Sequence, residues 1–131
     1  LVRNIIEMKT HTSMNTNILG QNMALEATKV HRSFIDKQLQ IWQDRRNFLY
    51  SGLKGLGLNL WNPEGAFYML PEIDNARDFV WDMYTKYNVI SYLGDWFGAP
   101  GRVRFSYALD RDKIEEGLSR MNDYLHNKRG D

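Results

Sequence analysis

The chain contains no cysteine, and this absence excludes several kinds of site before any motif is considered. Disulfide bridges, thiolate metal ligands and cysteine nucleophiles are all ruled out. The three histidines, His11, His31 and His126, lie far apart in the sequence and lack the spacing of a metal site. We therefore expect no metal centre.

An excess of one charge and long apolar runs are also missing. The chain carries 17 basic and 16 acidic residues, so it offers no broad charged surface for nucleic acid or anionic membrane. No stretch approaches the ~18 to 20 apolar residues of a membrane span, and the N-terminus lacks the pattern of a signal peptide. These absences predict a soluble, cytoplasmic protein with neither a nucleic-acid nor a membrane partner.

The length of 131 residues and the 43% apolar content suit one compact domain over residues 1–131. The sequence starts at Leu1 rather than at methionine, and it opens within a helical pattern. We therefore expect the chain to be part of a longer protein.

The first third of the chain shows helical periodicity. We predict a helix over residues 2–10 and a long helix over residues 18–53, with Thr16 or Asn17 as the N-cap of the long helix. Apolar residues recur at a spacing of seven in two neighbouring columns, which predicts a buried face against this chain or the rest of a longer protein. The two columns are Phe34, Ile41 and Phe48, and Ile35, Trp42 and Leu49.

The remainder of the chain predicts strands mixed with helices. Strands are expected at 58–61, 66–70, 89–93 and 102–108, with the first two forming a hairpin around residues 62–65. Helices are expected over residues 75–87, capped by Asp74 or Asn75, and after a cap at Asp110. The predicted fold class is a two-layer α/β (α+β) arrangement, in which helices cover a small, mostly antiparallel or mixed sheet.

Two arginines in the last predicted strand, Arg102 and Arg104, are two residues apart and therefore share one face of the sheet. A solvated strand face is the simplest interpretation. A guanidinium also has a planar fork that matches a carboxylate bidentately, which makes a carboxylate-binding role possible. The acidic residues and serines show no spacing typical of an acid/base pair or a nucleophile.

Four motifs in register carry a resemblance to a known family. They are Asn62-Pro63-Glu64-Gly65-Ala66-Phe67-Tyr68, Asn88-Val89-Ile90, Trp96-Phe97-Gly98, and Val103-Arg104-Phe105-Ser106-Tyr107-Ala108. In order and spacing they resemble the C-terminal part of class I aminotransferases, pyridoxal-phosphate enzymes of the aspartate aminotransferase fold. The resemblance extends back to Gln21. One departure is Leu93-Gly94, where the family commonly has Pro-Gly.

The resemblance implies that the chain is the C-terminal small domain of such an enzyme and that Arg104 binds the substrate α-carboxylate. Arg102 matches no functional residue of the family, so we expect it at the surface or behind the site. Gly65 matches the family's turn near the site entrance, where backbone geometry is an equally good reason for glycine. The substrates would be an amino acid and a 2-oxo acid, and the parent enzyme would be a homodimer.

The resemblance also implies that the Schiff-base lysine precedes Leu1, because none of the seven lysines has the family's surrounding motif. We therefore assign this chain no catalytic and no cofactor-binding residue. Pyridoxal 5'-phosphate would bind to a missing N-terminal cofactor domain, and the chain alone would be inactive.

Two alternatives stay open at this stage. The chain could be a stand-alone carboxylate-binding or interaction module that keeps the fold without catalysis. It could also be a small RNA-binding sheet, because strand aromatics can stack on bases. The near-neutral charge and the placement of Phe105 and Tyr107 on the face opposite the arginines argue against RNA.

Overall fold

The computed structural model describes residues 1–129, and within them the chain forms five α-helices, three strands and one turn of 3-10 helix. Two compact units are present, Leu1–Gln38 and Leu39–Asp131. The elements, in chain order, are α1 (Val2–Thr12), α2 (Ile18–Ala27), α3 (Arg32–Gly55), β1 (Tyr68–Met69), α4 (Ala76–Thr85), β2 (Tyr92–Leu93), the 3-10 turn (Gly94–Phe97), β3 (Val103–Ser106) and α5 (Arg111–Arg129).

The first unit contains α1, α2 and the beginning of α3. Asn17 caps α2 as predicted, because its side-chain oxygen accepts hydrogen bonds from the backbone N–H groups of Leu19 at 2.8 Å and Gly20 at 3.3 Å. Within the described α1 and α2 no residue is buried. None of the helices in residues 1–129 is long and apolar enough to cross a membrane.

The prediction of one long helix over residues 18–53 is wrong, because the chain breaks between α2 and α3. The Thr28 hydroxyl donates to the carbonyl of Leu25 at 2.7 Å, which helps to close the end of α2. A new helix then starts beside His31, whose Nδ1 accepts the backbone N–H of Ser33 at 3.2 Å. Local side-chain hydrogen bonds therefore replace the helical ones at this point.

The two apolar columns of α3 differ along their length. Toward the C-terminal end, Leu49 is buried, and Trp42 and Phe48 pack against the core. Toward the N-terminal end, Phe34, Ile35 and Ile41 are exposed. The predicted burial within this chain is therefore confirmed for the C-terminal half of the stripe, while cover by other sequence stays a prediction for the rest.

The core of the second unit lies between the sheet and the helices. Phe79 of α4 packs edge-on against Phe105 of β3, with ring centroids 6.2 Å apart, and against Tyr124 of α5 at 5.1 Å. Val103 and Met69 are fully buried on the same side of the sheet. Helices thus cover one face of the sheet.

The sheet is antiparallel with strand order β1-β3-β2, so the strand that carries Arg104 is central, and Arg102 lies just before it in an isolated bridge with Glu72. The predicted hairpin between 58–61 and 66–70 is wrong, because β1 pairs with β3 instead. Residues 58–61 are not a strand. The Asn59 carbonyl accepts the Glu72 N–H at 2.8 Å, but the adjacent Pro71 has no N–H to extend a ladder, and the Leu58 N–H donates back to the Leu53 carbonyl at the end of α3.

The fold class is confirmed. A small antiparallel sheet with helices on one face gives the two-layer arrangement expected from the sequence. The N-cap position of α4 is Asn75, as predicted, although its side chain makes no capping hydrogen bond. Asp110 directly precedes α5, but its carboxylate pairs with Arg45.

Candidate functional site

The register of the sheet places Arg104 beside two tyrosines. Tyr92 of β2 lies directly opposite Arg104, and Tyr68 of β1 lies opposite Ser106, the next residue on the same face. Val103 and Phe105, the two sequence neighbours of Arg104, are buried on the other face. Arg104 therefore projects from the face opposite the helical layer.

Three aromatic rings surround the Arg104 guanidinium. Its central carbon lies 3.6 Å from the ring centroid of Phe97, 4.4 Å from that of Tyr68 and 5.1 Å from that of Tyr92. These distances are within the range of cation–π contacts. Among residues 1–129 the guanidinium forms no ion pair and donates no hydrogen bond. Its N–H groups therefore keep their capacity to bind an anion.

Arg102 has the opposite surroundings. It is buried, and its guanidinium pairs with Glu72 and donates to the carbonyl of Leu70 at 2.7 Å. The ring of Trp61 stacks on it at 3.8 Å. Of the two expected positions, at the surface or behind the site, the surface position is wrong, since only 11% of the side chain is exposed. Arg102 is satisfied by its own chain, so it serves the fold rather than a ligand.

Replacing Arg102 by alanine is expected to lower the free energy of unfolding by about 2 to 3 kcal/mol, because the Leu70 carbonyl loses a charged donor and Glu72 loses its partner. Glu72 is half-exposed, so water limits the loss. Urea denaturation of the complete protein measures the effect. The matched variant Arg104→Ala should cost only about 1 kcal/mol. Equal losses for the two variants would contradict these assignments.

The loop before β3 is anchored close to Arg104. The Gly94 N–H donates to the Arg102 carbonyl at 2.8 Å, and the Ala99 N–H donates to the Gly94 carbonyl at 3.0 Å. A Cβ at Gly94 would lie 2.7 Å from the Arg102 carbonyl oxygen and closer still to that of Ala99. Glycine is therefore needed here for the close backbone approach, even with leucine in place of the family's proline before it.

In the turn before β1, the residue with a positive φ is Ala66, whereas the sequence suggested Gly65. Ala66 has φ +57°, whereas a Cβ at Gly65 would meet open space. The conformational reason suggested for Gly65 thus applies to the next residue. The Tyr107 hydroxyl donates to the Ala66 carbonyl at 2.7 Å and ties this turn to the end of β3.

Burial raises the pKa of Tyr107 above its usual value of 10, and the charge of Arg46 opposes this only in part. Because the folded pKa is the higher one, the contribution to stability is complete below pH 10 and is lost as pH rises through the folded pKa. We expect Tyr107→Phe to be about 1 kcal/mol less stable at pH 7, with the difference shrinking above pH 10. Urea denaturation at several pH values tests this, and parallel stability curves would contradict it.

The other polar candidates do not gather at this face. No group of three histidine, aspartate or glutamate side chains in the described part of the chain is arranged to hold a metal ion. Glu116 lies on α5, where a hydrogen bond from Lys113 and the charge of Arg120 lower its pKa. All seven lysines are exposed, and Lys29, Lys86 and Lys113 are paired with acidic neighbours.

Sequence reasoning selected Arg104 as a candidate but missed Tyr68 and Tyr92 as its neighbours. Period-two alternation places each tyrosine on one of two faces of its own strand. It does not say which strands pair, and the pairing alone brings the two rings to Arg104. Phe97 belongs to the Trp96-Phe97-Gly98 motif of the family resemblance, so the sequence did contain a signal that it lies near the site.

Comparisons with known proteins agree over most of the chain. The sequence pattern of the family described as aminotransferase class I and II matches residues 3–121. An aspartate aminotransferase of Thermotoga maritima is 30% identical over 126 residues, which are 95% of this chain and 32% of that protein. Aromatic-amino-acid aminotransferase 2 of Thermococcus litoralis is 32% identical over 117 residues, 83% of this chain and 30% of that protein.

A solved structure shows the same fold. The aromatic aminotransferase of Pyrococcus horikoshii superimposes with a TM-score of 0.91 at 27% identity, over 98% of this chain and 36% of that one. The chain spans about a third of the length of the curated relatives it matches.

Proposed function

Because the chain belongs to the class I and II aminotransferase family, we propose that the complete protein transfers an amino group between an amino acid and a 2-oxo acid. In this proposal Arg104 binds the α-carboxylate of the substrate. The observation that carries it is a guanidinium that contacts three aromatic rings and has no acceptor among residues 1–129. Such a group offers a planar, permanently charged fork to a carboxylate.

Arg104 would act by orientation. A carboxylate held by two parallel N–H···O bonds has one position and one plane, so the α-carbon attached to it is also placed. Aromatic rings against the guanidinium displace water from its faces, and a lower local dielectric strengthens charged hydrogen bonds. Arg102 takes no part in this, because Glu72 already neutralises it.

The family implies pyridoxal 5'-phosphate as the cofactor of the complete enzyme. The lysines of this chain do not fit the role of the residue that bonds to it. Each one is exposed, on a helix or just beyond its end, whereas a reactive amine needs an enclosed site that lowers its pKa. We propose that the cofactor and its lysine lie outside residues 1–131.

The domain assignment follows the same reasoning. We propose that residues 1–131 form the small domain of the complete protein and that the cofactor domain precedes it in the sequence. The exposed apolar residues of α1, α2 and early α3 support this, because such surface in a larger protein is usually covered. Assembly as a homodimer remains a prediction from the resemblance, and a cytoplasmic location remains a prediction from the sequence.

The names of the relatives do not point to one preferred amino acid. One relative bears the name of an aspartate aminotransferase, and another that of an aromatic-amino-acid aminotransferase. A panel of amino acids with one 2-oxo acid, assayed on the complete protein with added pyridoxal 5'-phosphate, tests the proposal. We expect amino transfer to at least one acceptor. Carboxylate binding without any transfer would instead support a binding module.

A further inference from the structure

We propose that Phe97 is a positioning residue for Arg104, fixing the plane of its guanidinium before a carboxylate arrives. The inference rests on the proposed function, since it deepens the role given to Arg104. The Phe97 centroid is 3.6 Å from the guanidinium carbon, the shortest of the three ring distances. This separation equals face-to-face van der Waals contact, so the ring covers the guanidinium from one side.

Stacking suits this task because it leaves the hydrogen-bond donors free. A guanidinium has flat faces and an edge that carries all five N–H groups. A carboxylate partner such as Glu72, which holds Arg102, occupies the edge. An aromatic ring covers a face and leaves the edge to a ligand. Phe97 therefore restrains Arg104 without competing for the substrate.

The position of Phe97 is itself fixed by a hydrogen bond to the backbone just before β3. Phe97 ends the 3-10 turn that starts at Gly94, and Gly98 follows it with φ +73°. The Gly94 N–H donates to the carbonyl of Arg102, two residues before Arg104. The ring and the guanidinium that it covers are thus held by the same short stretch of strand.

Phe97 is not part of the hydrophobic core. Its side chain is 47% exposed, and it is absent from the cluster of residues that packs between sheet and helices. Leucine at this position should therefore leave the fold intact. What it removes is a flat face for the guanidinium, which an aliphatic side chain does not replace.

The test measures binding of 3-phenylpropanoate, an unreactive monocarboxylate, to the complete protein. We expect Phe97→Leu to raise its dissociation constant about 10-fold, because Arg104 then samples several rotamers. Phe97→Tyr, which keeps the ring, should stay within about 2-fold of wild type. The control is Trp81→Leu on α4, which removes another exposed aromatic side chain far from β3 in sequence and should leave binding unchanged.

A double-mutant cycle separates positioning from a general structural effect. If Phe97 acts through Arg104, then Phe97→Leu should have no further effect in an Arg104→Ala background. A 10-fold loss that persists in this background, or a Phe97→Leu protein that binds as wild type does, overturns the inference. Wild-type protein that does not bind the probe, or binding that Arg104→Ala leaves unchanged, overturns the carboxylate-binding role of Arg104 itself.

Discussion

Replacing Arg104 with alanine is expected to lower kcat/KM of the complete protein about 100- to 1000-fold, since two charged hydrogen bonds to the substrate carboxylate are lost. The structure explains why the loss should be specific. Within the part of the chain that the structure describes, the guanidinium contacts aromatic rings and donates no hydrogen bond, so its removal leaves no acceptor there unpaired. Steady-state kinetics of amino transfer measure the effect, and the urea midpoint confirms that the fold is retained.

Arg104→Lys serves as the matched control for charge. An ammonium keeps the positive charge but has neither the planar fork nor the flat faces that stack on Phe97 and the two tyrosines. We expect an intermediate loss, about 10- to 100-fold in kcat/KM. Wild-type turnover by Arg104→Ala would remove this residue from the site. Wild-type turnover by Arg104→Lys would mean that charge alone is required.

Gly94→Ala should have the largest effect on stability, a loss of at least about 3 kcal/mol in the free energy of unfolding. The added methyl group would collide with the carbonyl oxygens of Ala99 and Arg102, and both atoms belong to backbone that is hydrogen-bonded to Gly94. The loop must then move away from β3 and carry Phe97 with it. Carboxylate affinity should therefore fall together with stability.

Gly117→Ala is the control, because it should raise the free energy of unfolding whereas Gly94→Ala should lower it. Gly117 lies inside α5, and a Cβ there would meet no atom within 4 Å. Alanine should stabilise the helix by about 0.5 to 1 kcal/mol. Urea denaturation of the two variants gives the comparison. A Gly94→Ala protein as stable as wild type would show that the loop does not depend on the close approach to β3.

Local patterns in the sequence predicted most of the secondary structure but not its pairing. Period-two alternation in residues 102–108 correctly placed Arg104 opposite the buried Phe105, because side chains alternate in any strand. The helical pattern did not reveal the break between α2 and α3. That break depends on hydrogen bonds made by the side chains of Thr28 and His31, which a count of apolar residues does not record.

The environment of the two arginines required the tertiary structure. Their spacing made Arg102 and Arg104 equivalent, and only the family motif favoured the second. In the structure Glu72 reaches Arg102 through an isolated bridge between segments 30 residues apart, while Tyr92 reaches Arg104 through strand pairing. Contacts of such sequence separation are set by the packing of the whole sheet, so a single sequence gives no direct signal for them.

The most direct test is a crystal structure of the complete protein with an unreactive substrate-like carboxylate bound. The account predicts that both carboxylate oxygens accept hydrogen bonds from Arg104, at about 2.7 to 2.9 Å from its nitrogens, with the Phe97 ring still stacked on the guanidinium. A carboxylate bound elsewhere, with Arg104 more than about 3.5 Å away, would contradict the assignment.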